Sequence, residues 1–169
     1  MKWIAISGSW KYVNAEIERD VRNAVREIIS RGDGIVTGGA LNVDTIAIGE
    51  ALRMDSTAMR LKVYIPVTLE RYADYYYALA REEIVSYGLV DDLIAQLTHL
   101  HANSQALIEN TENAILDQTT YFARNTDIVE ASDELIAFQV NASKGTQDAI
   151  DKARERGIPV TLHSYTIIE

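Results

Sequence analysis

Gly34-Ile35-Val36-Thr37-Gly38-Gly39-Ala40-Leu41-Asn42-Val43-Asp44 is the stretch whose reading decides the fold. A short apolar run is closed by small residues and gives way to helical spacing, with Val43, Ile46, Ala47, Ala51 and Met54 on one face. A buried strand that passes through a glycine turn into a helix is the repeating unit of a parallel sheet. On the N-terminal side, Trp3 to Ile6 reads as another strand, stopped by Ser7-Gly8-Ser9. The helix after it carries Ile17, Val21, Ala24, Val25 and Ile28 as one stripe. Asn14 is placed to cap it, Glu16 and Glu18 suit the positive end of its dipole, and Gly32 suits its stop. On the C-terminal side, Leu61-Lys62-Val63-Tyr64-Ile65 is a third strand ended by Pro66. Strand, helix, strand, helix, strand predicts parallel strands joined by right-handed crossovers.

Residues 67–123 break this rhythm, and no strand is evident in them. Leu69, Tyr72, Tyr76, Leu79 and Ala80 have helical spacing, as do Leu93, Ile94, Leu97 and Leu100, with a weaker continuation at Ile115, Leu116 and Thr119. Gly88 would separate two helices. The stretch far exceeds the ~10–15 residues of an ordinary crossover helix, so a helical insertion or arm is expected at about 67–120. Its apolar faces exceed what a small sheet would cover, which predicts a homo-oligomer. The alternation then resumes. Arg124 and Asn125 open a helix that reaches Ala131, Glu134 to Val140 is a strand, and Lys144-Gly145-Thr146 precede a helix with Ala149, Ile150 and Ala153 inward and Gly157 as its stop. Pro159 to Leu162 reads as the last core strand, and Ile167-Ile168 as a short edge. The expected fold is α/β, a doubly wound and mainly parallel sheet of about five strands in a single domain over 1–169.

Composition narrows the function. A chain of 169 residues with 47% hydrophobic content is long enough for one packed core. With 16 basic and 25 acidic residues the net charge is −9, which argues against non-specific nucleic-acid binding but leaves room for a local anion pocket. There is no cysteine, hence no disulfide, thiolate metal site or cysteine nucleophile. A cysteine-free chain whose opening apolar stretch is too short for a signal peptide fits a reducing cytoplasm. No apolar run approaches the ~18 residues of a membrane span. His99 and His101 would point ~200° apart on a helix, so no zinc site is expected, and no motif calls for a cofactor.

In an open parallel sheet, ligands bind beyond the carboxyl ends of the strands. Small residues follow three strands there: Ser7-Gly8-Ser9, Thr37-Gly38-Gly39-Ala40 and Asn141-Ala142-Ser143-Lys144-Gly145-Thr146. Each precedes a helix whose first N–H groups can hold an anion without a basic side chain. A single glycine turn would be read as mere connection, whereas three on one edge favour a phosphate or carboxylate site. Neither the G-x-G-x-x-G fingerprint nor the Walker G-x-x-x-x-G-K-[ST] motif is present. Arg124 offers a fork of donors to phosphate, or is a solvated helix charge. Asp44 could accept from a ribose hydroxyl, or cap its own helix. Tyr72, Tyr75, Tyr76 and Tyr77 are read first as packing and second as a lid or stacking platform, while Trp10 and Tyr12 are better placed to stack on a base.

Taken in order, Ile6-Ser7-Gly8-Ser9, Thr37-Gly38-Gly39-Ala40-Leu41-Asn42-Val43-Asp44, Arg124-Asn125, Asp133-Glu134-Leu135-Ile136-Ala137-Phe138, Lys144-Gly145-Thr146 and Gly157-Ile158-Pro159-Val160 resemble the SMF/DprA–LOG (SLOG) superfamily of Rossmann-like nucleotide-handling domains. The similarity covers roughly 1–66 and 121–163. It implies a nucleotide or phosphoribosyl-type ligand across the strand ends, with the Gly38-Gly39 and Lys144-Gly145-Thr146 turns against phosphate. Arg124 falls where LOG-type phosphoribohydrolases, which split the N-glycosidic bond of nucleoside monophosphates, carry a catalytic arginine. Their motif P-G-G-x-G-T-x-x-E differs here: Asn141-Ala142-Ser143-Lys144 precede the turn and the glutamate position falls on Ala149. Asp148 is adjacent, and with Asp44 and Glu130 it is among the carboxylates available for acid–base work. The resemblance therefore implies a nucleotide binder with a hydrolytic variant, a sensor or assembly module as the alternative, and a DprA-like DNA accessory as a third.

Overall fold

The computed structural model describes residues 1–168 and contains six helices and six strands. The order is β1 (Trp3–Gly8), α1 (Ala15–Ser30), β2 (Gly34–Gly38), α2 (Val43–Met54), β3 (Leu61–Ile65), α3 (Leu69–Arg81), α4 (Tyr87–Asn103), β4 (Leu107–Glu109), α5 (Gln118–Glu130), β5 (Glu134–Val140), α6 (Lys144–Arg156) and β6 (Val160–Tyr165). All strand pairs are parallel, in the spatial order β4-β3-β2-β1-β5-β6. The chain works outward from β1 in one direction as far as β4, then returns and works outward in the other. The reversal lies between β1 and β5, where Ser7 pairs with Ala137 and Gly8 with Phe138.

Alternation along the central strands divides the core into two layers. Ile4, Ile6, Ile35, Phe138 and Val140 join the apolar stripes of α1, α2, α3 and α4. Ala5, Val36, Leu135 and Ala137 join Ile128 and Val129 of α5 and Ala149, Ile150 and Ala153 of α6 on the opposite face. Local signals act as their chemistry dictates. Asn14 Oδ1 accepts from Ile17 N at 2.9 Å at the start of α1, and Gly157 takes the left-handed conformation, φ +79°, that ends α6. Glu50 is buried between α1 and α2, where Arg22 (3.0 Å), Arg26 (2.6 Å) and Arg53 (3.3 Å) neutralise it.

Several expectations change. The sheet has six strands, because β4 lies within 67–123. It is only three residues long and sits at an edge, too short to carry a periodic signal. Nor do the helices before it form a protruding arm. Tyr72, Tyr76 and Ala80 of α3 and Val90, Leu93, Leu97 and Leu100 of α4 are buried in the main core, so α3 and α4 are a two-helix crossover from β3 to β4. These buried residues are covered within the chain, while Ile84, Tyr87, Leu89 and Ile115 of the same stretch stay exposed. Ile115 and Leu116 precede α5 rather than belonging to it, and Ile167-Ile168 lie outside any strand. The last strand is an edge with Thr161, Leu162, His163 and Ser164 exposed, not a core strand.

Candidate functional site

A cavity of about 320 Å³ opens at the β1/β5 reversal, beyond the carboxyl ends of the central strands. This is the position where doubly wound sheets bind ligands, and the volume suits a small molecule. Its floor is made of Ile6, Ser7, Gly8 and Gly38 at the strand ends, with Ala40 and Asp44 just after. One wall is the first turn of α6, Ser143 to Thr146. A second is the face of α5 carrying Gln118, Tyr121, Phe122, Arg124, Asn125 and Ile128. The third is Tyr75, Tyr76 and Leu79 of α3, and Trp10 stands at the mouth, 45% exposed.

Arg124 is the centre of this arrangement. It lies in the middle of α5 rather than opening it, and it is 9% exposed. Its guanidinium carbon is 5.3 Å from the centroid of the Tyr121 ring, a cation–π contact from the preceding turn. On another side it rests on Gly38, where a Cβ would stand 2.6 Å from that same carbon. The glycine is required for the close approach of the guanidinium, not for a turn. Nε and Nη1 are buried and have no hydrogen-bond partner. A charged group held dry with donors unmade is costly, since each buried unsatisfied donor forfeits ~1–3 kcal/mol. Such a group is arranged to meet an acceptor that arrives from outside.

Two further features favour an anion. No side chain caps α6: Ser143 Oγ bonds Thr146 Oγ1 at 2.9 Å instead of the backbone, and the first turn carries no acid. The positive end of that helix, with Lys144 in its first turn, therefore faces the cavity uncompensated. Asn125 is fixed alongside, donating from Nδ2 to the Gly145 carbonyl at 3.2 Å. The aromatic side chains on the remaining walls offer flat apolar surface. One end of the cavity suits an oxyanion and the other an aromatic or apolar group.

Asp44 is the single carboxylate among the lining residues, and it is 5% exposed. Ala40 N donates to Oδ2 at 3.1 Å, and Thr37 Oγ1 lies 3.0 Å from Oδ1. Burial pushes its pKa up to about 6, and Arg124 and these two hydrogen bonds oppose the rise without cancelling it. Asp44 thus lies inside the first turn of α2, whose N-cap residue is Asn42, and its carboxyl is held by Thr37 and Ala40.

The structure brings Ser7, Gly8, Ser9, Trp10, Gly38, Ala40, Asp44, Arg124, Asn125, Ser143, Lys144, Gly145 and Thr146 to this one cavity. Some serve mainly as scaffold. Ser9 Oγ accepts from the N–H groups of Lys11 and Tyr12 at 3.2 and 3.1 Å. Lys144, Gly145 and Thr146 form the first turn of α6 rather than preceding it. Thr37, Gly39 and Asp148 do not line the cavity. Gly39 packs on Ile65 and Leu97, and its carbonyl accepts from Tyr72 Oη at 2.7 Å. Asp148 accepts from Asn125 Nδ2 at 3.1 Å and Lys152 Nζ at 2.9 Å, and Lys152 also donates to the Phe122 carbonyl at 2.5 Å. It is a clamp between α5 and α6. Glu130 is exposed at the far end of α5. Sequence reasoning missed Gln118, Tyr121 and Phe122, although their spacing from Arg124 and Asn125 places them on one helical face. Among the described residues no cluster of three or more histidine or acidic side chains could hold a metal ion, and no helix is long and apolar enough to cross a membrane.

No family model and no curated protein matches the sequence. Solved structures do match. DNA processing protein A from Helicobacter pylori, described for its single-stranded DNA binding mode, is 20% identical with a TM-score of 0.69, over 95% of this chain and 64% of that one. The shared fold is a Rossmann-like α/β fold with a parallel sheet. DNA processing protein A from Streptococcus pneumoniae shares this fold at 16% identity and a TM-score of 0.57, over 95% of this chain and 58% of that one. The molybdenum cofactor carrier protein from Chlamydomonas reinhardtii shares it at 14% identity and a TM-score of 0.56, over 95% and 75%. The chain spans less than two thirds of the two DNA processing proteins, and these likenesses are of fold.

Proposed function

We propose that this chain binds a nucleotide or phosphoribosyl-type small molecule at the carboxyl edge of its sheet. The observation that carries the reading is Arg124, buried with Nε and Nη1 unpartnered beside the open cavity. The phosphate of the ligand meets Arg124 and the N–H groups at the start of α6, with Lys144 adding charge. The base or other flat group lies against Tyr75, Tyr76, Tyr121 and Trp10. A small molecule fits a chain of net charge −9 better than a nucleic-acid strand, which needs a basic track for its backbone.

Binding without turnover is the form of this reading that the carboxylates favour. Hydrolysis of an N-glycosidic bond needs a carboxylate against an oxocarbenium-like transition state. Asp148 is engaged by Lys152 and Asn125 outside the cavity, and Asp44 is fixed in its floor. The chain acts as a sensor or carrier of its ligand. The test incubates the protein with a panel of nucleoside monophosphates, reading binding by calorimetry and released base by chromatography. Saturable binding that Arg124→Ala weakens by ~1.5–3 kcal/mol, with no free base, is expected. Release of base would establish the hydrolase instead. Absence of binding, together with salt-sensitive capture of single-stranded DNA, would establish the DNA accessory.

A further inference from the structure

We infer that Asp44 is the specificity-determining residue of this cavity: held as a neutral acid it leaves Arg124 uncommitted for an oxyanion, and once ionised it competes for the guanidinium and excludes that ligand. The inference rests on the reading of the cavity as an anion site.

The supply of donors at Asp44 supports it. Thr37 Oγ1 lies 2.9 Å from the Ile6 carbonyl oxygen and 3.0 Å from Asp44 Oδ1, and Thr37 is fully buried. A hydroxyl carries one proton, so Thr37 can donate to Ile6 or to Asp44 but not fully to both. Ala40 N–H donates to Oδ2. An ionised Asp44 is thus held in a dry site by one backbone donor and a shared hydroxyl, which is little compensation for a buried charge. Burial acts in the same direction, as the upward shift of the Asp44 pKa shows.

Geometry supplies the competition. Gly38 puts Arg124 and Asp44 against the same point of the backbone: its absent Cβ would lie 2.6 Å from Cζ of one and 2.8 Å from Oδ2 of the other. Yet no ion pair joins them, and Arg124 Nε and Nη1 stay unpartnered. The charged and titratable groups facing Asp44 are Arg124 from α5 and Tyr76 from α3, whose burial keeps its phenol un-ionised. Lys144 of α6 lines the same cavity, while β1 and β2 present only Ile6, Ser7, Gly8, Thr37 and Gly38. An arriving anion and an ionised Asp44 therefore contend for one guanidinium, and binding draws a proton onto Asp44.

The test uses the full chain and sulfate, which stays a dianion from pH 5 to pH 8, so that any pH dependence belongs to the protein. Sulfate affinity measured by calorimetry should fall by up to about tenfold per pH unit once Asp44 ionises. Asp44→Asn, whose amide can donate to Thr37 and accept from Ala40, should bind sulfate with an affinity that does not vary over the same range. A wild-type profile that is flat and parallel to the variant overturns the inference and leaves the anion site standing. Sulfate binding to neither protein overturns the anion site and the inference with it. A second measurement needs no variant: carboxyl ¹³C titration of the aspartate-labelled wild type should show one side chain with a midpoint well above the ordinary ~3.9. Ordinary midpoints for every aspartate would also overturn it.

Discussion

Replacing Arg124 by Met should make the ligand-free protein more stable while abolishing its binding. Arg124 is 9% exposed, and three N–H protons, one on Nε and two on Nη1, lie buried without acceptors. Each such donor forfeits ~1–3 kcal/mol, and a thioether chain of similar length asks for no acceptor. Against this stands the cation–π contact with Tyr121, worth about 1 kcal/mol. The difference is a gain of about 1–3 kcal/mol for Arg124→Met in ligand-free buffer. Urea unfolding in buffer free of phosphate and sulfate reads it as a higher midpoint at unchanged slope. Adding a nucleoside monophosphate at a hundred times its Kd should lift the wild type by ~2.7 kcal/mol and the variant not at all, so the order closes or reverses. A variant less stable than the wild type without ligand would refute the idea that Arg124 is held in a strained, waiting state. So would equal stabilisation of both proteins by the ligand.

Gly38→Ala should lower stability by ~1–3 kcal/mol and weaken anion binding at least tenfold, because the new methyl displaces Arg124; wild-type affinity would show that the guanidinium is free to move. Asp44→Asn should raise stability at neutral pH. The folded-state pKa of about 6 exceeds the unfolded 3.8, so the stability of the wild type is full below pH 4 and is lost as pH rises through 6. The two unfolding midpoints should coincide near pH 4 and diverge by about 2–3 kcal/mol at pH 7; parallel curves would remove the raised pKa. Asp148→Asn should cost about 1 kcal/mol through the half-buried Lys152 pair and leave ligand affinity unchanged, and lost affinity would return Asp148 to the site.

The fold was legible where one physical signal dominated. The β1–α1–β2–α2–β3 run carries strong periodicity and capping chemistry, so the apolar stripe of α1 and the cap at Asn14 stand where the sequence places them. Strand β4 was not legible, because three edge residues make no pattern. The burial of α4 was not either, since its apolar stripe says that something covers it but not that α2 and the sheet do. The turns around the site were visible as glycine and serine clusters. What they do was hidden, because it depends on neighbours distant in sequence. Gly38 reads as a phosphate-binding turn residue, yet its lack of a side chain makes room for a guanidinium from 86 positions downstream. Tyr121 has no local signature beyond its place one turn before Arg124. Asp148 stood beside a motif position, and nothing in its neighbourhood revealed that Lys152 would engage it.

The cavity is assembled from two kinds of chain. Its charged half comes from the middle of α5 and the first turn of α6, seated on the ends of the central strands. Part of its aromatic half, Tyr75 and Tyr76, rests on α3, in the two-helix detour that ends in a three-residue edge strand. Insertions or reshaping in that detour can resize the room above the guanidinium without moving it. Proteins built on this plan can thus keep a grip on one end of a ligand and exchange the identity of the other.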